Sequence, residues 1–173
     1  ANMRNQITQR LEIENDLRRA LERDELRNYY QPIISLESGA IVGFEALLRW
    51  QHPTRGLLEP IDFIPVAEEN GMIRELGWWA LERACRQIAV WKQLHPRFAH
   101  LSMSVNLSVK QFVDPSLGPK LETLLRECNL PEGTLKLEIT ESSIMSDSTA
   151  AVSLLSQFKS LGVRLAIDDF GTG

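Results

Sequence analysis

Leu101-Ser102-Met103-Ser104-Val105-Asn106-Leu107-Ser108 alternates apolar and polar side chains without a break. A strand turns successive side chains to opposite faces, so Leu101, Met103, Val105 and Leu107 share one face and the serines and Asn106 the other. Residues 135–140 repeat the design, with Leu135, Leu137 and Ile139 opposite Lys136, Glu138 and Thr140. Residues 163–168 repeat it again, with Val163, Leu165 and Ile167 opposite Arg164, Ala166 and Asp168. Between these strands lie helical stretches at 120–128, ended by Asn129 and Pro131, and at 148–161, stopped by Gly162. Alternating strands and helices build a parallel sheet. An apolar face for helices and a mixed polar face for an interior predict a β/α barrel with its site at the C-terminal strand ends. A doubly wound open sheet is the competitor. Its strands, covered on both sides, would be apolar on both faces, and these are not.

Upstream, residues 29–36 and 41–50 are strand-like runs joined by Glu37-Ser38-Gly39-Ala40 and are expected to pair as an antiparallel hairpin. In the second run Ile41, Gly43, Glu45, Leu47 and Arg49 share a face that must hold charge. Pro60 opens a predicted helix around 63–69, Gly71 breaks it, and a longer helix spans 74–94 until Pro96. Residues 9–26 read as a charged amphipathic helix with Leu11, Leu17, Ala20, Leu21 and Leu26 on its stripe. It is either a solvated surface helix or a connector from an upstream regulatory domain. Ala1 and Asn2, ahead of Met3, read as an expression scar, followed by a lead-in helix and linker at 3–26 and one domain at 27–173.

With 43% hydrophobic and 24% charged residues, the 173-residue chain can bury one sizeable core. Cys85 and Cys128 fall on predicted helices and read as reduced thiols of a cytoplasmic protein. No apolar run approaches the ~20 residues of a membrane span, although a longer parent could carry an anchor elsewhere. A net charge of −4 argues against a duplex nucleic acid partner. A small phosphorylated ligand is compatible with it, because a bound metal would supply positive charge.

Glu45, Asn106, Glu138 and Asp168 each lie at or near the downstream end of a predicted strand, the last three separated by 32 and 30 residues. That spacing is one βα unit, which sets the three side by side along one sheet edge. Oxygen-only ligands suit a hard cation such as Mg²⁺ or Mn²⁺. Burying Glu138 with Asp168 calls for a neutraliser, either a cation or structural salt bridges from Lys136 and Arg164. The adjacent Asp168-Asp169 pair could straddle two cations about 3.5 to 4 Å apart, a clamp suited to phosphate ester hydrolysis. Phe170-Gly171-Thr172-Gly173 is a short turn beside it. No nucleophile constellation competes. His52, His95 and His100 lack ligand spacing and read as surface groups, the serines lack a G-x-S-x-G elbow, and the cysteines lack a C-x-x-C pair.

Taken together, Tyr30-Gln31-Pro32-Ile33, Glu45-Ala46-Leu47-Leu48-Arg49-Trp50, Phe63-Ile64-Pro65-Val66-Ala67-Glu68, Val105-Asn106, Leu137-Glu138-Ile139-Thr140-Glu141 and Asp168-Asp169-Phe170-Gly171-Thr172-Gly173 resemble the EAL domain family. Six motifs in order, from about Leu17 to Gly173, make the resemblance specific. It implies a modified β/α barrel whose first strand runs antiparallel, and a cyclic di-GMP phosphodiesterase that yields linear pGpG. It further implies that Glu45, Asn106, Glu138 and Asp168 bind a first Mg²⁺ or Mn²⁺, with Asp168 bridging to a second that Asp169 approaches. Arg49 would hold a substrate phosphate, Gln31 and Leu47 would line the same pocket, and Asp62 would read a guanine edge. Glu141 would brace the loop that starts at Asp169, which in the family links metal binding to dimer contacts. A homodimer and an upstream domain such as GGDEF or a sensor are the implied partners.

The family continues past Gly173 with strands that carry a lysine and a further glutamate near the attacking water. Eight-stranded barrels need ~250 residues. The chain is therefore expected to be the N-terminal part of a barrel within a longer polypeptide, with a half-barrel as the alternative, and the segment alone is expected to be inactive. Two other readings of the intact protein are a receptor that captures cyclic di-GMP without cutting it and a structural or dimer-forming module.

Overall fold

A computed structural model describes residues 2–140 and 148–168. A lead-in helix α1 (Asn2–Ala20) precedes the hairpin β1 (Leu26–Ile34) and β2 (Ile41–His52). A short β3 (Gly56–Leu58) leads to α2 (Pro60–Asn70) and α3 (Ile73–Leu94). Then come β4 (Ser102–Leu107), the single turn α4 (Val109–Phe112), α5 (Leu117–Glu127), β5 (Leu135–Thr140), α6 (Ser148–Ser160) and β6 (Arg164–Asp168). No helix among the described residues is long and apolar enough to cross a membrane.

The sheet order is β1-β2-β4-β5-β6, with β3 paired to β2. β1 is antiparallel to β2, whereas β4, β5 and β6 each run parallel to the strand before them in that order. This is an α/β fold with a mostly parallel sheet and a reversed first strand, consistent with a partial barrel of the EAL type. The hairpin turn closes through the Gly39 N–H to the Ser35 carbonyl at 2.8 Å, with Gly39 at φ 70°, a left-handed value that glycine adopts without strain. Gly43 is needed for a different reason. A Cβ there would lie 2.7 Å from the Ser102 carbonyl oxygen, so β2 and β4 could not approach as closely.

The apolar faces of the parallel strands meet the helices as their alternation predicts. Met103, Val105, Leu107, Leu135, Leu137 and Ile139 pack against Leu81, Ala84 and Ile88 of α3, Leu121 and Leu124 of α5, and Phe158 of α6. Each large side chain removed from water contributes about 1.5–3 kcal/mol. A second cluster joins α1 to the far half of the hairpin, where Ile13, Leu17 and Ala20 pack with Trp50, Phe63, Val66 and Leu76.

Three expectations are corrected here. Leu11 is 55% exposed, and Ile13 takes its place on the buried stripe, because Ile13, Leu17 and Ala20 fall one and two turns apart. Leu26 belongs to β1 rather than to the helix. His52 is not a surface group but 3% exposed. Its Nδ1 accepts the Thr54 and Arg55 N–H groups, each at 3.2 Å. The ring proton therefore sits on Nε2, which donates to Asp16 at 3.1 Å and ties α1 to the end of β2.

Candidate metal and substrate site

Strand phase places Glu45, Asn106 and Glu138 on the face away from the helices. Gln31 pairs with Glu45 in the β1–β2 register, Glu45 pairs with Ser104, and Asn106 pairs with Glu138. The Asn106 amide donates to Glu45 Oε1 at 2.8 Å, which brings the β2 and β4 groups together and leaves the amide oxygen free to accept or to ligate. Glu138, 14% exposed at its side chain, accepts from Lys136 Nζ at 2.8 Å. Asp168 closes β6 and pairs with Thr140, two positions past Glu138 on β5. Asp169 and Glu141 lie outside the described residues.

β2 and β4 stay in register only as far as Ala46 and Val105. Beyond that point they separate, and a cavity of about 300 Å³ opens between them, walled by Leu47, Leu48, Asn106, Glu138 and, from α2 and α3, Ile64 and Ile73. Leu47 thus lies in the same cavity as two of the candidate ligands, Asn106 and Glu138. Arg49, two residues further on, donates to the Leu48 carbonyl at 2.9 Å, and its guanidinium lies 5.9 Å from the Tyr29 ring. Arg27 is its register partner, so two guanidinium groups flank this end of the hairpin.

Asp62 is exposed, and its Oδ2 accepts the Glu59 N–H at 3.0 Å, which satisfies a donor at the start of α2. Gln31 is exposed on β1 opposite Glu45. Gln111, which the sequence reading missed, is 4% exposed, lies on the cavity wall, and fills the space that a side chain on Gly77 would need. Its signal was available. Ser108 and Gln111 form the Ser-x-x-Gln capping pair that starts α4, with Ser108 Oγ accepting the Gln111 N–H at 3.3 Å.

Among the described residues no three His, Cys, Asp or Glu side chains converge as a ready metal cage. The donor set is two carboxylates and an amide, all oxygen, with an ammonium already resting on one carboxylate. That chemistry fits a hard divalent cation, since the acidic pair is set for positive charge.

A mostly parallel α/β sheet with candidate oxygen ligands late in its strands is consistent with part of a β/α barrel. The chain belongs to the EAL domain family, whose sequence model matches residues 14–173. It is 42% identical over 165 residues to the bifunctional diguanylate cyclase/cyclic di-GMP phosphodiesterase MucR of Pseudomonas aeruginosa, covering 95% of this chain and 24% of that protein. It is 39% identical over 171 residues to the cyclic di-GMP phosphodiesterase PdeR of Escherichia coli, covering 99% of this chain and 25% of that protein. A solved structure described as PaMucR phosphodiesterase in complex with c-di-GMP superposes with a TM-score of 0.88 at 42% identity, covering 94% of this chain and 65% of that one. The chain spans about a quarter of the length of the two curated relatives.

Proposed function

We propose that this domain serves a divalent-metal-dependent phosphodiesterase that opens cyclic di-GMP to linear pGpG. The observation that carries the reading is the hydrogen bond from the Asn106 amide to Glu45, with Glu138 beside Asn106 on the next strand and both Asn106 and Glu138 on the cavity between β2 and β4. Glu45, Asn106, Glu138 and Asp168 would hold one Mg²⁺ or Mn²⁺, and Asp168 with Asp169 a second. The bound cations would supply Lewis acidity and an activated water at neutral pH. Arg49 would bind a phosphate of the substrate at the rim. Leu47 and Gln31 would line the pocket, and Asp62 would read a guanine edge, a role it would combine with capping α2. Glu141 would brace the loop that begins at Asp169. A cytoplasmic homodimer fed by an upstream GGDEF or sensor domain completes the proposal.

Chromatography of cyclic di-GMP incubated with the full-length protein and Mn²⁺ is the test. Formation of pGpG that stops on chelation supports the reading. Tight binding without turnover would turn it into that of a receptor, and a melting temperature indifferent to metal and nucleotide would remove both.

A further inference from the structure

Lys136 is the one cation that touches a candidate metal ligand among the described residues. It sits two residues before Glu138 on β5, on the same face, so the rise of ~3.3 Å per residue brings its four-carbon stem within reach of the carboxylate. Its register partner on β4 is Ser104. Ser104 is 0% exposed, and its Oγ has no hydrogen-bond partner. A buried hydroxyl left unpaired costs free energy and asks for an explanation. Neighbouring strands lie ~4.8 Å apart, so an ammonium leaving Glu138 finds the Ser104 hydroxyl on the adjacent strand.

We propose that Lys136 is a displaceable counter-ion with two resting places, Glu138 Oε1 when the site holds no divalent ion and Ser104 Oγ when it does, and that it thereby sets the metal affinity. The inference rests on the proposed metal role of Glu138. With the cation bound, Glu138 can no longer spare Oε1 for a second positive charge, and the ammonium moves one strand over. Lys136 and the metal therefore compete for one carboxylate. Competition of this kind is reciprocal, and each weakens the other by the same factor. Lys136 is a positioning residue that never needs to touch substrate.

The test is calorimetric titration of the protein with Mn²⁺ alone, together with thermal melts with and without Mn²⁺. K136M should tighten Mn²⁺ binding by about tenfold, in the usual range of coupling between ligands of one site. It should also lower the metal-free melting temperature, with Mn²⁺ closing that gap. S104A should weaken Mn²⁺ binding severalfold without lowering the metal-free melting temperature, because its hydroxyl is unused in that state. A purely structural ion pair would move the melts and leave the Mn²⁺ affinity alone. Folded K136M with Mn²⁺ affinity at or below that of the unaltered protein overturns the proposal. If K136M does not fold, K136R decides it: a guanidinium that grips Glu138 more firmly must weaken Mn²⁺ binding, and unchanged or tighter binding overturns the idea. E138Q separates the two levels of inference. Loss of Mn²⁺ binding in E138Q with no change in K136M removes only the role of Lys136, whereas unchanged binding in E138Q removes the metal role of Glu138 and the proposal with it.

Discussion

Arg49 makes few contacts that hold the fold, a bond to the neighbouring Leu48 carbonyl and a place near the Tyr29 ring. Arg49→Ala should therefore leave the melting temperature nearly unchanged. If the guanidinium holds a phosphate, the loss of a charged hydrogen bond worth about 1.5–3 kcal/mol should weaken cyclic di-GMP binding by about tenfold or more. Equal affinities in a binding titration would dismiss that role. Cys85 behaves in the opposite way. It is fully buried, and burial, followed by the nearby Cys128, pushes its thiol well above the ordinary value of 9.0. Because the raised value favours the protonated folded form, its contribution to stability is complete below pH 9.0 and declines as pH rises beyond it. A thiol reagent at pH 8 should leave Cys85 unmodified until denaturant is added; rapid labelling in the folded state would contradict this. At this scale the sequence was legible wherever side chains followed a period of two, which is why Glu45, Asn106 and Glu138 emerged on one face. His52 was illegible because its partner Asp16 lies 36 residues away. Lys136 stood as one of two neutralisers for Glu138, and only the 2.8 Å contact connects them.

Among the elements, α1 is fixed by apolar contacts on one side and by ion pairs along its flank. Arg55 reaches Glu12 at 2.5 Å, Arg10 pairs with Glu69 of α2, and His52 holds Asp16. Exposed pairs contribute little, ~0–1 kcal/mol each, so the buried side chains dominate. Leu17→Ala should destabilise the protein by about 2–5 kcal/mol, visible as a lower urea midpoint. A midpoint shift near zero would mean that α1 is a loosely attached connector. The long helices and strands announced themselves through caps, breakers and periodicity. β3 did not, because Gly56–Leu58 is three residues long and acquires its strand geometry from pairing with Trp50, Gln51 and His52. α4 was overlooked for its brevity, although its capping pair was present in the sequence.

For the whole molecule, a ligand that binds only the folded state must raise its apparent stability. Mn²⁺ with cyclic di-GMP at a hundred times the dissociation constant should add about 2.7 kcal/mol, and chelation should remove most of it. Calorimetric scans with metal, nucleotide, both and neither would show whether the two act together, as a shared site requires; strictly independent effects would argue for separate sites. The fold class was readable because three strands repeated one pattern of faces. The opening of the cavity was not, since it depends on where β2 and β4 part after Ala46 and Val105, and no local pattern encodes that divergence.

The reversed first strand carries a further consequence. Leu26 stands beside Trp50 and Arg27 beside Arg49, while the other end of β1 lies next to Ile41. In an all-parallel barrel each strand begins on the face opposite the site. Here the polypeptide enters the sheet on the side of the candidate site, at the end of β2, and α1 delivers it there. A tilt of that helix would act as a lever with a short arm, felt first by Arg49 and the lip of the cavity, and last by the far floor of the sheet.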